Sequence, residues 1–205
     1  MQCTFSYPFQ QNTLGCYQDA TASEFVVDTN SLVNYVPKVA ALGNGSFVVV
    51  WWDGSGGNIH GRRYDDDGTI GAEFIVDTNS LLNYDPHVAA LGNGSFVVVW
   101  EDRSADHDIH GRRYDGNGTV GAEFVVNTNA LDNYDPHVAA LGNGSFVVVW
   151  YDGSGGYQNI HGRRYDDDGT IGAEFLVDTN SLVNFPWAGY KPSPLGGIAL
   201  AVRSD

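Results

Sequence analysis

Short runs of alternating apolar and polar residues fill most of this chain, and one such pattern recurs three times. LGNGSFVVVW stands at 42–51, 91–100 and 141–150, and each copy is followed by IHGRRYD and then by EFxVxTN. Near-identical units of about 50 residues are typical of one supersecondary block copied in tandem. The sequence therefore predicts a repeat architecture.

Each unit contains four runs that are typical of β-strands. In the second unit they are PHVAAL at 86–91, SFVVVW at 95–100, DIHGRRYD at 108–115 and EFVVNT at 123–128. Val, Phe, Trp and Tyr dominate these runs, and Asn-Gly between two of them is a strong hairpin signal. No run has a helical period, so we expect an all-β, four-stranded antiparallel meander with strands a, b, c and d in chain order.

The alternation in strand b predicts how the sheets pack. Both of its faces are largely apolar, which indicates a sheet that lies between two others. The two faces are Phe96, Val98 and Trp100 on one side, and Ser95, Val97 and Val99 on the other. Radial stacking of four-stranded sheets around a channel satisfies this pattern, so the predicted fold is a β-propeller.

The number of units predicts four blades in a single domain over 1–205. Three complete blade units occupy about 35–83, 84–133 and 134–184. Residues 1–34 supply two further strand-like runs and 185–205 supply two more, which together make a closing blade split between the termini. The alternative is that these half-blades pair between chains and give a larger ring or a polymer.

The copies differ mainly between the strand b tryptophan and IHGRRYD, where the length varies, so this segment is a surface loop. The b-to-c loops and the d-to-a connections emerge on one face, which combines aromatic side chains with Asp, Asn and His. An aromatic ring stacks on a pyranose while polar groups bind its hydroxyls. The alternative for the repeated Asn-Tyr-x-Pro is purely structural. The candidate ligand-binding residues are Trp52, Asp53, His60, Tyr84, Glu101, Asp102, His110, Tyr134, Tyr151, Asp152, Tyr157 and His161.

Charge and composition exclude several partners. The chain has 25 acidic and 10 basic residues and a formal charge of -15, which repels nucleic acid. No apolar run approaches the roughly 20 residues of a membrane span. The start lacks a secretory signal profile, although an extracellular or cell-surface location fits the predicted binding role. Cys3 and Cys16 form a disulfide or stay as free thiols, and the sequence leaves both open.

Other motifs predict little chemistry. The Asp-rich turns at 65–68 and 166–169 suit a plain turn better than calcium, so no cofactor is expected. The strand a residues predicted to line the channel include a Lys and a Ser as well as two His, which argues against a metal site there. The Arg pairs of strand c predict ion pairs between blades. With no nucleophile beside a base and no HExxH, we expect no enzyme. The channel set is Lys38, His87, His137 and Ser193.

GNGSFVVVWxD followed by IHGRRYDxDGTxGxEFxVxTN resembles tandem repeats of large bacterial surface and secreted proteins, including RTX-type proteins. The resemblance covers about residues 22–185 and implies propeller-like blades with roles in adhesion and binding. The calcium-binding nonapeptide of RTX proteins is absent. A small propeller of near-identical blades is also similar, more loosely, to the propeller lectins.

Two functions follow as hypotheses. Near-identical blades repeat whatever they bind, so the first is a multivalent, lectin-like module for glycans or cell-surface glycoconjugates. The second is a structural or adhesive repeat that self-associates through its blades or terminal strands.

Overall fold

The computed structural model describes residues 25–28, 33–43, 45–77, 82–104, 107–128, 132–153 and 159–178. The strands in these ranges are β1 Asn34–Gly43, β2 Ser46–Asp53, β3 Asn58–Tyr64, β4 Phe74–Ile75, β5 Asn83–Gly92, β6 Ser95–Asp102, β7 Asp108–Tyr114, β8 Val120–Val125, β9 Asn133–Gly142, β10 Ser145–Asp152, β11 Asn159–Tyr165 and β12 Phe175–Leu176. They form three four-stranded antiparallel sheets in chain order: sheet 1 (β1–β4), sheet 2 (β5–β8) and sheet 3 (β9–β12). The predicted all-β meander is therefore confirmed for these three units.

The a-to-b hairpins have the predicted Asn-Gly turns. Asn93 has a φ of 52° and Gly94 a φ of 76°, and the turn at Asn143 and Gly144 repeats these values at 50° and 79°. Two successive residues with positive φ match the right-handed twist of the strands. The turn chemistry thus fixes the register of strands a and b.

Sheet 2 lies between the other two, as the alternation of strand b predicts. Phe96, Val98 and Trp100 pack against the core side of sheet 1. Val97 and Val99 pack on the opposite side, in a cluster with sheet 3. The first strands of the sheets are neighbours, since β5 contacts both β1 and β9.

Strand a begins earlier than the sequence predicts. The prediction placed Asn-Tyr-x-Pro in a loop, whereas β5 starts at Asn83, which pairs with Asp102. A bulge at Asp85 and Pro86 shifts the register, and Asp85 has a φ of 47°. A bulge accommodates the proline, which has no N–H for the ladder, and so the strand continues through it.

Strand d is shorter than predicted in two of the sheets. In sheet 1 it pairs with strand c only at His60↔Ile75 and Gly61↔Phe74. Beyond these pairs, the backbone N–H of Ile59 donates to the Asp77 side chain at 2.6 Å. Strand d ends at the equivalent residue in all three sheets, and β8 is longer because its pairing with β7 extends back to Val120.

The predicted closing blade lies almost entirely outside the described residues. Residues 25–28 are described, and they pack on sheet 1: the ring of Phe25 lies 5.3 Å from that of Tyr64, and Arg62 Nη1 donates to the Val27 carbonyl at 2.5 Å. The end of strand d in sheet 2 contacts sheet 3 in the same way. The described residues contain no long apolar helix of the kind that crosses a bilayer.

Candidate functional site

One end of the three sheets brings together five of the predicted ligand-binding residues. Here strand b ends and strand a begins, and the ladder pairs Tyr84 with Glu101 and Tyr134 with Tyr151. Trp52 occupies the equivalent position of sheet 1. We call this end of the sheets the loop face, because the variable b-to-c loops lie on it.

Trp52 stacks inside a row of rings on the loop face. Its ring centroid lies 4.9 Å from that of Tyr35 in the same sheet and 4.7 Å from that of Tyr84 in sheet 2. With an aromatic neighbour from each sheet, the indole bridges sheets 1 and 2. These contacts give Trp52 a structural role at the junction of the two sheets, and the stacking of a sugar on its ring stays a prediction.

Sheet 2 has a carboxylate at the position of Trp52. The Glu101 side chain is fully buried and accepts a hydrogen bond from Arg103 Nε. Burial raises the pKa of Glu101 to about 7, although the Arg103 hydrogen bond and the backbone of Asp135 act to lower it. At this position sheet 2 therefore has an ion pair within the sheet, whereas sheet 1 has an indole that contacts the next sheet.

Tyr151 differs from Trp52 and Glu101 in its surroundings. It is half-buried, and among the described residues no ring or cation packs on it. Burial raises the pKa of Tyr151, and the negative charge of Asp135 raises it further. Among the described residues, Tyr151 is thus the strand b ring on the loop face on which no other ring or cation packs.

The predicted Asp and His residues lie in a network within each sheet and do not join the row of rings. His60 Nδ1 lies 2.7 Å from Glu73 Oε1, and His60 Nε2 lies 3.7 Å from Asp53 Oδ2. Asp53 also accepts a hydrogen bond from the backbone of Ser55 at 2.8 Å. This network ties strands b, c and d together. The equivalent groups are Asp102, His110 and Glu123 in sheet 2, and Asp152, His161 and Glu174 in sheet 3. The predicted Tyr157 lies outside the described residues.

The contacts of the first Arg of each pair show that the predicted ion pairs between blades are wrong. Arg112 Nη2 pairs with Glu123 at 3.1 Å within its own sheet. Its Nη1 donates to the Val76 carbonyl of sheet 1, and Arg163 Nη1 donates to the Val126 carbonyl at 2.5 Å. The contact between sheets is therefore a charge-assisted hydrogen bond to a carbonyl at the end of strand d.

Sequence reasoning missed Arg103, whose guanidinium Cζ lies 4.4 Å from the ring centroid of Tyr84 and 6.0 Å from that of Tyr134. The signal was present in the repeat, because Gly54 and Gly153 occupy the equivalent positions in the other sheets. A residue that departs from the repeat in one copy alone marks a local difference in chemistry.

The predicted channel residues partly come together. The rings of His87 and His137 lie 4.6 Å apart. Burial lowers the pKa of His87 to about 4, and the positive charges of His137 and Lys38 lower it further. The fourth predicted member, Ser193, lies outside the described residues.

No protein-family model matches the chain, and no curated protein sequence does. Solved structures do show similarity. A protein of unknown function from Dyadobacter fermentans DSM 18053 aligns with a TM-score of 0.51 and 18% identity over 67% of this chain and 39% of the other. A fungal lectin, Aleuria aurantia lectin, described as a six-bladed β-propeller with a novel fucose recognition mode, aligns with a TM-score of 0.45 and 13% identity over 68% of this chain and 47% of the other.

The chain therefore spans less than half the length of either neighbour. At 18% identity the first likeness concerns the fold alone, and the low TM-score of the second carries no weight for function. The resemblance to RTX-associated repeats has no family match behind it and stays a prediction.

Proposed function

We propose that this protein is a multivalent, lectin-like module that binds glycans through the loop face. The proposal includes a closed four-bladed propeller and an extracellular or cell-surface setting, in which linked weak sites raise avidity. It assigns binding and no catalysis to the loop face.

The observation that carries the proposal is the row of aromatic and charged side chains on the loop face. The row runs across all three sheets and includes Trp52, Tyr84, Arg103 and Tyr134. Tyr151 adds a ring that no described aromatic residue covers. Aromatic rings beside hydrogen-bonding groups are suited to sugars, whose rings have an apolar face and a polar rim.

The test is a glycan array followed by titration calorimetry with the best glycan. We expect Tyr151→Ala to weaken binding by about tenfold, or about 1.4 kcal/mol, which is the size of one lost stacking contact, while Tyr151→Phe keeps most of the affinity. Trp52→Ala also weakens binding, but with a lower melting temperature, because the indole bridges two sheets. A folded wild-type protein that binds no glycan on the array would overturn the proposal.

A second candidate function is assembly through the sheets themselves. It is favoured by the outer side of sheet 3, where Phe175, Leu176 and Val177 are 45%, 44% and 50% exposed. The contrast with the other sheets lies at Val177, whose counterparts Val76 and Val126 are fully buried against the next sheet. Such a side is suited to self-association unless other residues of the chain cover it.

A further inference from the structure

Arg103 is fixed in place from two directions. Its Nε donates to the carboxylate of Glu101, whose side chain has no exposed surface. The flat guanidinium lies over the ring of Tyr84 at 4.4 Å, where a cation–π contact is favourable. An arginine that is held in one orientation loses little conformational entropy when it binds a ligand.

The terminal amino groups of Arg103 have no protein partner among the described residues. Of the side-chain nitrogen atoms, Nε alone makes a hydrogen bond to a described residue, and the side chain is 38% exposed. Nη1 and Nη2 therefore offer N–H donors to solvent at the loop face, in the forked geometry that binds two neighbouring oxygen atoms.

In the described residues of sheets 1 and 3, a glycine stands at the position of Arg103. A Cβ atom placed on Gly54 would lie 2.6 Å from Cε2 of Tyr35, and one placed on Gly153 would lie 3.1 Å from Cε2 of Tyr134. In these sheets the tyrosine ring occupies the space that a side chain would need. The forked donor is thus a feature of sheet 2 alone among the described sheets.

We infer that Arg103 determines the specificity of the loop face by binding two adjacent hydroxyl groups of a neutral sugar with Nη1 and Nη2. This inference rests on the proposed glycan binding and extends it. It adds one dominant subsite, at the junction of sheets 2 and 3, to the repeated weaker ones.

The charges around Arg103 favour a neutral sugar over an anionic one. Glu101 already serves as its counter-ion, and Asp85 lies close enough for its carboxylate to interact with both Arg103 and Asp135. The whole chain carries a formal charge of -15. A ligand carboxylate would meet these negative groups, whereas sugar hydroxyls can also donate hydrogen bonds to them.

The experiment is calorimetry with matched pairs of ligands: methyl galactoside with methyl galacturonide, and methyl glucoside with methyl glucuronide. The wild-type protein binds the neutral member of the preferred pair about tenfold more tightly, with a stoichiometry near one. Arg103→Lys keeps the charge but loses the fork, so its affinity falls about tenfold, and circular dichroism at the titration temperature checks that the variant is folded. The control is Arg63→Lys, which changes an arginine of strand c that pairs with Asp65. This variant binds the glycoside with the affinity of the wild-type protein.

A second measurement needs no variant. Deoxy analogues of the preferred glycoside are titrated into the wild-type protein, and loss of either hydroxyl of one adjacent pair lowers affinity at least about tenfold. Tighter binding of the uronide, unchanged affinity of Arg103→Lys, or indifference to every deoxygenation overturns the inference and leaves glycan binding standing. Failure of the wild-type protein to bind any of the glycosides or any arrayed glycan overturns both.

Discussion

Val36 is a β-branched residue in a backbone conformation that suits glycine, asparagine and aspartate. It has a φ of 51° at the bulge of strand a, where the other sheets have Asp85 at 47° and Asp135 at 49°. Positive φ brings Cβ close to the following carbonyl oxygen, and the cost is highest for branched side chains. Sheet 1 thus keeps the shape of the bulge without a residue that favours it.

Val36→Asn is expected to stabilise the protein by about 1 kcal/mol, because asparagine tolerates the left-handed region. Urea unfolding followed by tryptophan fluorescence measures the gain. Val36→Ala is the control: it removes the branch but retains Cβ, so it gives a smaller gain. Equal midpoints for the wild-type protein and Val36→Asn would contradict the role assigned to this backbone strain.

At the scale of elements, each sheet combines one amide and one carboxylate where strands c and d meet. In sheet 2, Asn127 Nδ2 donates to Asp108 at 2.7 Å. Sheet 1 has the two residue types exchanged, as Asn58 and Asp77, and Asp77 accepts from Asn83 at 2.7 Å. Sheet 3 follows sheet 1 with Asn159 and Asp178. The exchange indicates that this pair of positions needs one amide and one carboxylate, and that either residue of the pair can supply either group.

Asp77→Asn alone is expected to lower the free energy of unfolding by about 2 kcal/mol. The carboxylate oxygen that accepts from Asn83 Nδ2 is replaced by an amide NH₂, so two donors face each other. The double variant Asn58→Asp with Asp77→Asn copies the arrangement of sheet 2 and recovers at least about half of that loss. Denaturant unfolding of the two single variants and the double variant gives the coupling energy. Additive losses would show that the two positions act independently.

The repeat made strands, hairpins and sheet order predictable, since these depend on local turn chemistry and on a period of two. The bulge at Asp85 was not predictable, because an Asn-Tyr-x-Pro stretch reads equally well as a loop. The strand order placed the aromatic positions of the candidate site on one face, but the pattern does not say which ring is covered, and the binding role of these residues stays a prediction. Trp52 and Tyr151 occupy equivalent places, and their packing differs because Tyr84 packs on Trp52.

At the scale of the whole molecule, the sides of the three-sheet array are unequal. Residues 25–28 pack on sheet 1 as the end of strand d would in a preceding blade. The outer side of sheet 3 presents Val177, which is 50% exposed, whereas the equivalent Val126 is fully buried. We propose that the strand-like runs within 185–205 of the same chain cover this side and complete the fourth blade, as the blade count predicts.

Three substitutions to aspartate test this closure. Val126→Asp buries a charge between sheets and costs about 4 kcal/mol, whereas Val120→Asp, at a position that is 55% exposed on β8, costs about 0.5 kcal/mol or less. If the chain closes on itself, Val177→Asp lowers the free energy of unfolding about as much as Val126→Asp does. Light scattering then shows a monomer at every concentration. A cost near that of Val120→Asp would mean that the side stays open. A large cost together with dimers that dissociate on dilution would instead assign the cover to a second copy of the chain.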